Sequence, residues 1–200
     1  AEALADSFNQ LSERIDLLRT QANDEIKSAV PQINSLSEQI AALNDQIRDS
    51  EVTGHEANDL RDDRDVLIDE LAKLVDINYR ERENGQIDVF VGGAALVEGD
   101  TWNEIEAVPN AALDDERNDF VELRFVETGR LVNISDGTVY GAITARDSAL
   151  ADVQGAIDDL ASTIIQQINL IHSQGNGLEN LSGTIRSEER RVGKECRSRW

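Results

Sequence analysis

Two hundred residues at 40% hydrophobic content suffice for one or two modest packed domains. Against 19 Lys and Arg stand 40 Asp and Glu, a net charge of −21 that argues against nucleic acid and anionic membrane surfaces as partners. No apolar run could cross a bilayer as a helix. The chain begins at Ala1 and has no methionine, so it is expected to be a piece of a longer protein.

The last fifteen residues, Arg186–Trp200, differ in kind from the rest. They hold the only cysteine, Cys196, and one of the two tryptophans. The run RSEERRVGKEC matches, codon by codon, the translation of a common sequencing adapter, and the segment is expected to be an artefact foreign to the fold. Taking its six basic and three acidic residues from the 19 and 40 of the chain leaves 13 and 37, a net charge of −24. What remains is free of cysteine, which excludes disulfides, thiolate catalysis and cysteine metal sites there.

From Leu4 to Ile47 apolar residues recur at alternating gaps of four and three, with one extra gap of four between Leu18 and Ile26. That pattern predicts a long coiled-coil-like helix with an eleven-residue insertion in its heptads. Pro31 should kink or divide it near Val30. The opposite face, rich in Glu, Asp, Gln, Asn and Ser, is expected to be solvated. A polar connection over 49–57, containing Gly54 and His55, lets a second helix return antiparallel.

That second helix, Asn58–Val75, is the most informative stretch. Leu60, Leu67 and Leu74 repeat every seven residues with Leu71 between them, and Asn58 or Asp59 is expected as N-cap. Asp62, Asp63 and Asp65 suit the positive end of the helix dipole. Arg64 occupies a seam position that calls for an apolar side chain. A buried guanidinium needs a carboxylate or carbonyl partner, because a lone buried charge costs several kcal/mol.

After Val75 the period drops to two. Ile77 and Tyr79, an Asn84-Gly85 hairpin turn, Ile87–Val91, turns at Gly92-Gly93 and Glu98-Gly99-Asp100, and strands Ala95–Val97, Trp102–Val108 and Phe120–Val126 predict an antiparallel β segment over 77–134. An acidic loop, Asp114–Asp119, separates the last two strands. A third helix then runs to about His172, with Ile143, Leu150, Val153, Ile157, Leu160, Ile164, Ile168 and Ile171 as its seam. Arg146 interrupts it, followed by Asp147, so an arginine-aspartate pair recurs in a second seam. A Gly/Asn-rich loop over 175–185 ends the helix. The fold class expected is α+β: a long antiparallel coiled-coil-like helical bundle (1–76 and 135–174) with the β segment inserted between helices.

Nothing in the sequence supports catalysis or a cofactor. His55 and His172 are isolated, and no nucleophile elbow, phosphate loop, dinucleotide fingerprint or zinc motif occurs. Asp59, Asp62, Asp63 and Asp65 lack the central glycine and distant glutamate of a calcium loop. Gly92-Gly93 joins two strands, so it is a turn and not a phosphate cradle. Arg64, Asp65, Arg146 and Asp147 are candidates for structural ion pairs that set register between helices.

The motifs INSLSEQIAALNDQI, NDLRDDRDVLIDELAKLVDI, DVFVGGAALVEG and GTVYGAITARDSALADVQGAIDDLASTIIQQINLIHSQG, in this order, resemble the bacterial flagellar hook-associated protein 1 family, the hook–filament junction proteins. The resemblance covers nearly all of 1–183. It implies a non-enzymatic axial subunit exported by the flagellar type III apparatus, outside the cell, without metal or cofactor. Partners implied are further copies of itself, the hook protein, the second junction protein on the filament side and an export chaperone. Alternatives to this reading are an acidic extracellular coiled-coil binding or adhesion module and another flagellar axial protein.

Overall fold

The structure, a computed structural model, describes residues 2–52, 57–110 and 120–174. Expectations for Gly54 and His55, the acidic loop Asp114–Asp119, the loop 175–185 and the tail 186–200 lie outside the described residues. The elements run α1 (Glu2–Glu51), α2 (Asn58–Leu74), β1 (Ile77–Glu81), β2 (Ile87–Val91), β3 (Ala94–Glu98), β4 (Thr101–Trp102), β5 (Ile105–Pro109), β6 (Val121–Phe125), α3 (Gly137–Thr144), a π-helical turn (Ala145–Ala149) and α4 (Leu150–Gln174). The fold is α+β, mostly helical with small antiparallel sheets. The described residues fall into two compact units, one within 17–149 and one formed by 2–16 with 150–174.

In the larger unit the core joins helices to both sheets. Ile26, Ile33 and Ile40 of α1, Ile68 and Leu71 of α2, Val89, Val97, Ile105 and Leu123 of the strands, and Val139 and Ala142 of α3 form one buried cluster. The strands order β1-β2-β3-β4 in one sheet and β5-β6 in a second, with every pairing antiparallel. Register slips between Val89 and Phe90, a β-bulge on β3. Gly92-Gly93 closes the β2–β3 hairpin with both φ positive, +53° and +77°, as a two-residue loop of this hand requires.

The smaller unit is a pair of helical stretches, the start of α1 and all of α4. Ile15 and Gln154 are its buried residues among those described, and Gln154 Nε2 donates to Ser12 Oγ at 2.9 Å.

Several sequence expectations need correction. Pro31 does not divide α1, which is a single helix through it. Pro31 lies on the exposed side, where water can take the carbonyl its missing N–H leaves free. The flanking Ala29, Val30 and Ile33 are anchored in the core. The polar face of α1 is not uniformly solvated, since Asn23, Ser37 and Asn44 are fully buried. On α2 the N-cap position is Ala57, without a side-chain cap, and its N–H is taken by Glu51 Oε1 at 3.2 Å.

The inward stripe of α2 is Arg64, Ile68 and Leu71, leaving Leu60, Leu67 and Leu74 half-buried at its flank. Asn84-Gly85 is part of a three-residue loop, with Gly85 N–H donating to Arg82 O at 3.1 Å and Gly85 at φ +78°. The strand expected over Trp102–Val108 is two strands in different sheets. Asn103 turns the chain between them, donating from its backbone to Leu96 O and from Nδ2 to Ala95 O. The third helix is broken at Ala145–Ala149 by the π-turn.

Candidate functional site

Each seam arginine sits in a socket built on α1. Arg64 is 3% exposed; its Nη1 donates to Asn44 Oδ1 at 3.0 Å and to the Gly85 carbonyl at 2.7 Å. Asn44 does more than accept this bond. Its Oδ1 also takes the Ile87 N–H, and its Nδ2 donates to the carbonyls of Ile87 and Gly99. One asparagine therefore ties an arginine of α2, the start of β2 and the β3–β4 turn to α1.

The second socket repeats the chemistry. Arg146 is 1% exposed, and its Nη1 donates to Asn23 Oδ1 at 2.6 Å and to the Val121 carbonyl at 2.9 Å. Asn23 Oδ1 accepts the Val121 N–H at 2.9 Å, at the start of β6. The guanidiniums of Arg146 and Arg19 both lie over the Phe120 ring, 5.1 and 4.9 Å from its centre, a spacing suited to cation–π attraction. Between the sockets Asn34 binds β5 directly: Nδ2 donates to the Ile105 carbonyl and Oδ1 accepts its N–H. Three asparagines of one helix thus each grip the first residue of a different strand.

The two arginine-aspartate pairs differ. Arg146 and Asp147 form a bidentate ion pair, Nε to Oδ1 at 2.6 Å and Nη2 to Oδ2 at 2.9 Å. Arg64 finds an amide and a carbonyl instead. Asp65, one residue along, is exposed, and Arg64 Nε has no hydrogen-bond partner among the described residues. Burial pulls the Arg64 guanidinium below its ordinary range, chiefly by desolvation. Sequence reasoning missed Asn23, Asn34 and Asn44. The available signal was their spacing of eleven and ten residues, close to three turns of one helical stripe.

Carboxylates at the rim carry the pH response. Burial pushes Asp88 up, but hydrogen bonds from Arg82, Arg80 and the Gly99 N–H outweigh it and leave the carboxyl below its usual range. Arg61 holds Glu51 low in the same way, at 2.7 Å. Both groups favour the folded state when ionised. Their contribution is full above the unfolded carboxylate range and is lost as pH falls through the lower folded values. A thermal melt is expected to stay level from about pH 8 to about pH 5 and to drop below about pH 4. Asp88→Asn should flatten that drop; an unchanged acid slope in circular dichroism melts would exclude Asp88 as its source.

Among the described residues no group of three or more His, Cys, Asp and Glu could hold a metal, and none of the helices is long and apolar enough to cross a membrane. Asp59, Asp62, Asp63 and Asp65 are exposed along α2, and His172 is exposed near the end of α4. What the site does is mechanical: it fixes strands to a helix through buried, directional bonds.

Residues 1–185 match the family described as flagellar hook-associated protein FlgK helical domain. The chain belongs to this family. As a FlgK helical-domain chain it is 31% identical over 196 residues to flagellar hook-associated protein 1 of Salmonella typhimurium, covering 92% of this chain and 34% of the relative. The Escherichia coli K12 protein of that name is 30% identical, with 88% and 33% covered. The Bacillus subtilis protein is 27% identical, with 87% and 39% covered. In fold, the chain is similar to the flagellar hook junction protein FlgK from Burkholderia pseudomallei, with TM-score 0.75, 24% identity, and 92% of this chain against 34% of that one covered. The chain therefore spans about a third of the length of the curated relatives it matches. The family match stops at residue 185, immediately before Arg186–Trp200.

Proposed function

We propose that this chain is part of a structural, non-enzymatic subunit of the junction between hook and filament of a bacterial flagellum. The observation that carries this reading is the family match across residues 1–185, supported by relatives named flagellar hook-associated protein 1. On this reading the helices of 1–76 and 135–174 belong to a rod-like, coiled-coil-like part that packs against neighbouring subunits, and 77–134 faces outward. Partners are further copies of the subunit, the hook protein and the second junction protein. The protein reaches the outside of the cell through the flagellar export apparatus with the help of a chaperone. The strong negative charge of residues 1–185 disfavours nucleic acid and anionic membranes as partners. The test is a chimera in which residues 1–185 replace the matching stretch of the Escherichia coli relative, in a strain lacking that protein. Swimming and filament-bearing hooks are expected. Bare hooks despite export of a folded chimera would overturn the reading.

Within that role, Arg64 and Arg146 set the register between α1 and the elements docked on it. Arg64→Met is expected to cost about 1–3 kcal/mol, because it strips the Gly85 carbonyl of its buried donor. Urea unfolding measures this. A gain in stability on Arg64→Leu, with one native set of amide resonances, would sink the register role.

A further inference from the structure

Between α3 and α4 the chain holds one residue more than an α-helix needs, because a π-turn carries an extra residue within its span. The Arg146 carbonyl, whose α-helical donor would be the Leu150 N–H, accepts Arg19 Nε–H at 3.1 Å. A competing side-chain donor thus sits where the helical bonding departs from α.

The packing of α4 bears the mark of that extra residue. Gln154 is only 7% exposed; Nε2 binds Ser12 while Oε1 has no partner among the described residues. Asp158 is half-buried, its carboxyl raised by burial and by the nearby Asp159 and Asp16. Immediately before these polar residues stand Val153, 49% exposed, and Ile157, while Leu160, 54% exposed, precedes the half-buried Ala161. At positions 154, 158 and 161 the better core residue lies one step earlier in the sequence, although Ile157 is itself half-buried beside Asp158.

We propose that α4 has a second packing register, one residue along, reached when the π-turn absorbs its extra residue into regular α-helix. Absorption turns α4 about its own axis by one residue, about 100°. Val153 then takes the place of Gln154, Ile157 that of Asp158 and Leu160 that of Ala161. The exchange has a cost: Ala156 replaces Ile157, Thr163 replaces Ile164 and Gln167 replaces Ile168. Gains and losses of similar kind leave the two registers close in energy, which a bistable element requires. Arg146 stays in its socket throughout, with its carbonyl passing from Arg19 to the Leu150 N–H. The π-turn is therefore a conformational device that changes the face α4 presents.

Thiol labelling tests this in chains carrying Cys196→Ser and a single new cysteine. In the present register Val153→Cys should react about tenfold faster than Gln154→Cys, since the buried thiol reacts only on opening. Deleting Ser148 removes the extra residue, leaves regular α-helix in the present register with nothing to absorb, and should keep that order even when Arg19→Met is added. Arg19→Met should speed Gln154→Cys while leaving Ile15→Cys, inward in both registers, unchanged. The proposal is overturned if deletion of Ser148 reverses the original order, makes both sites react at the unfolded rate, or leaves Arg19→Met still able to speed Gln154→Cys. It is equally overturned if Arg19→Met speeds Ile15→Cys and Gln154→Cys alike.

Discussion

Asn44→Ala is expected to lower the unfolding free energy by about 3–5 kcal/mol, among the largest losses a single substitution in this chain can produce. The substitution removes the side chain that satisfies both backbone groups of Ile87, the Gly99 carbonyl and the Arg64 guanidinium. Each buried group left without a partner carries its own desolvation penalty, and the arginine charge carries the heaviest. Asn44→Asp separates the contributions. It keeps an acceptor for Arg64 and Ile87 N–H but loses the two bonds from Nδ2, so it should fall between the parent and Asn44→Ala. Urea unfolding with an unchanged slope measures the difference. A loss below about 1 kcal/mol for Asn44→Ala would mean that water or a neighbour fills the socket at little cost.

The second large effect is expected at Gly92. Its φ of +53° is one that side-chain-bearing residues adopt only at a cost of about 1–2 kcal/mol. An added Cβ would also run into the Asn133 carbonyl oxygen and come within 2.8 Å of Asn133 Cβ. Backbone cannot swing aside as a flexible side chain can, so either the β2–β3 hairpin or the 133 segment must move. Gly92→Ala should cost about 3–5 kcal/mol, at the upper end for point substitutions. Gly93 supplies the control in the same turn. Its φ is +77°, but nothing lies within 4 Å of the added Cβ, so Gly93→Ala should cost only about 1–2 kcal/mol. Equal losses in thermal melts of the two variants would show that the clash at Asn133 is relieved cheaply.

The seam arginines were legible in the sequence because charge in an apolar periodicity is an energetic anomaly that must be compensated. Their partners were not. An asparagine between heptad positions of a long helix has the composition of a solvated face, and only the depth of burial, a tertiary property, distinguishes Asn44 from Gln46. The same limit explains α2. The heptad of Leu60, Leu67 and Leu74 is real, yet the inward direction is set by what α2 packs on: of the expected seam Arg64 and Leu71 are buried, while Ile68 takes the inward place expected of Leu67. The hairpins were readable because Gly92-Gly93 and Gly99 need positive φ and therefore glycine. The division of 102–108 left a trace that was passed over: Asn103 and Glu104, two polar residues in succession, break the alternation where the chain changes sheets. A π-turn leaves even less trace. Its one extra residue has no preferred composition, and the arginine in it drew notice for its charge alone.

The three strand-gripping asparagines of α1 also limit how the gene can vary in length. Each added or lost residue turns everything beyond it by about 100° and moves it by about 1.5 Å along the axis. A single insertion between Asn23 and Asn34 would swing one grip off its strand while leaving the others in place, and no loop in that stretch could absorb the change. Natural variants should therefore keep the intervals from Asn23 to Asn34 and from Asn34 to Asn44 fixed and collect their insertions and deletions in the turns between strands.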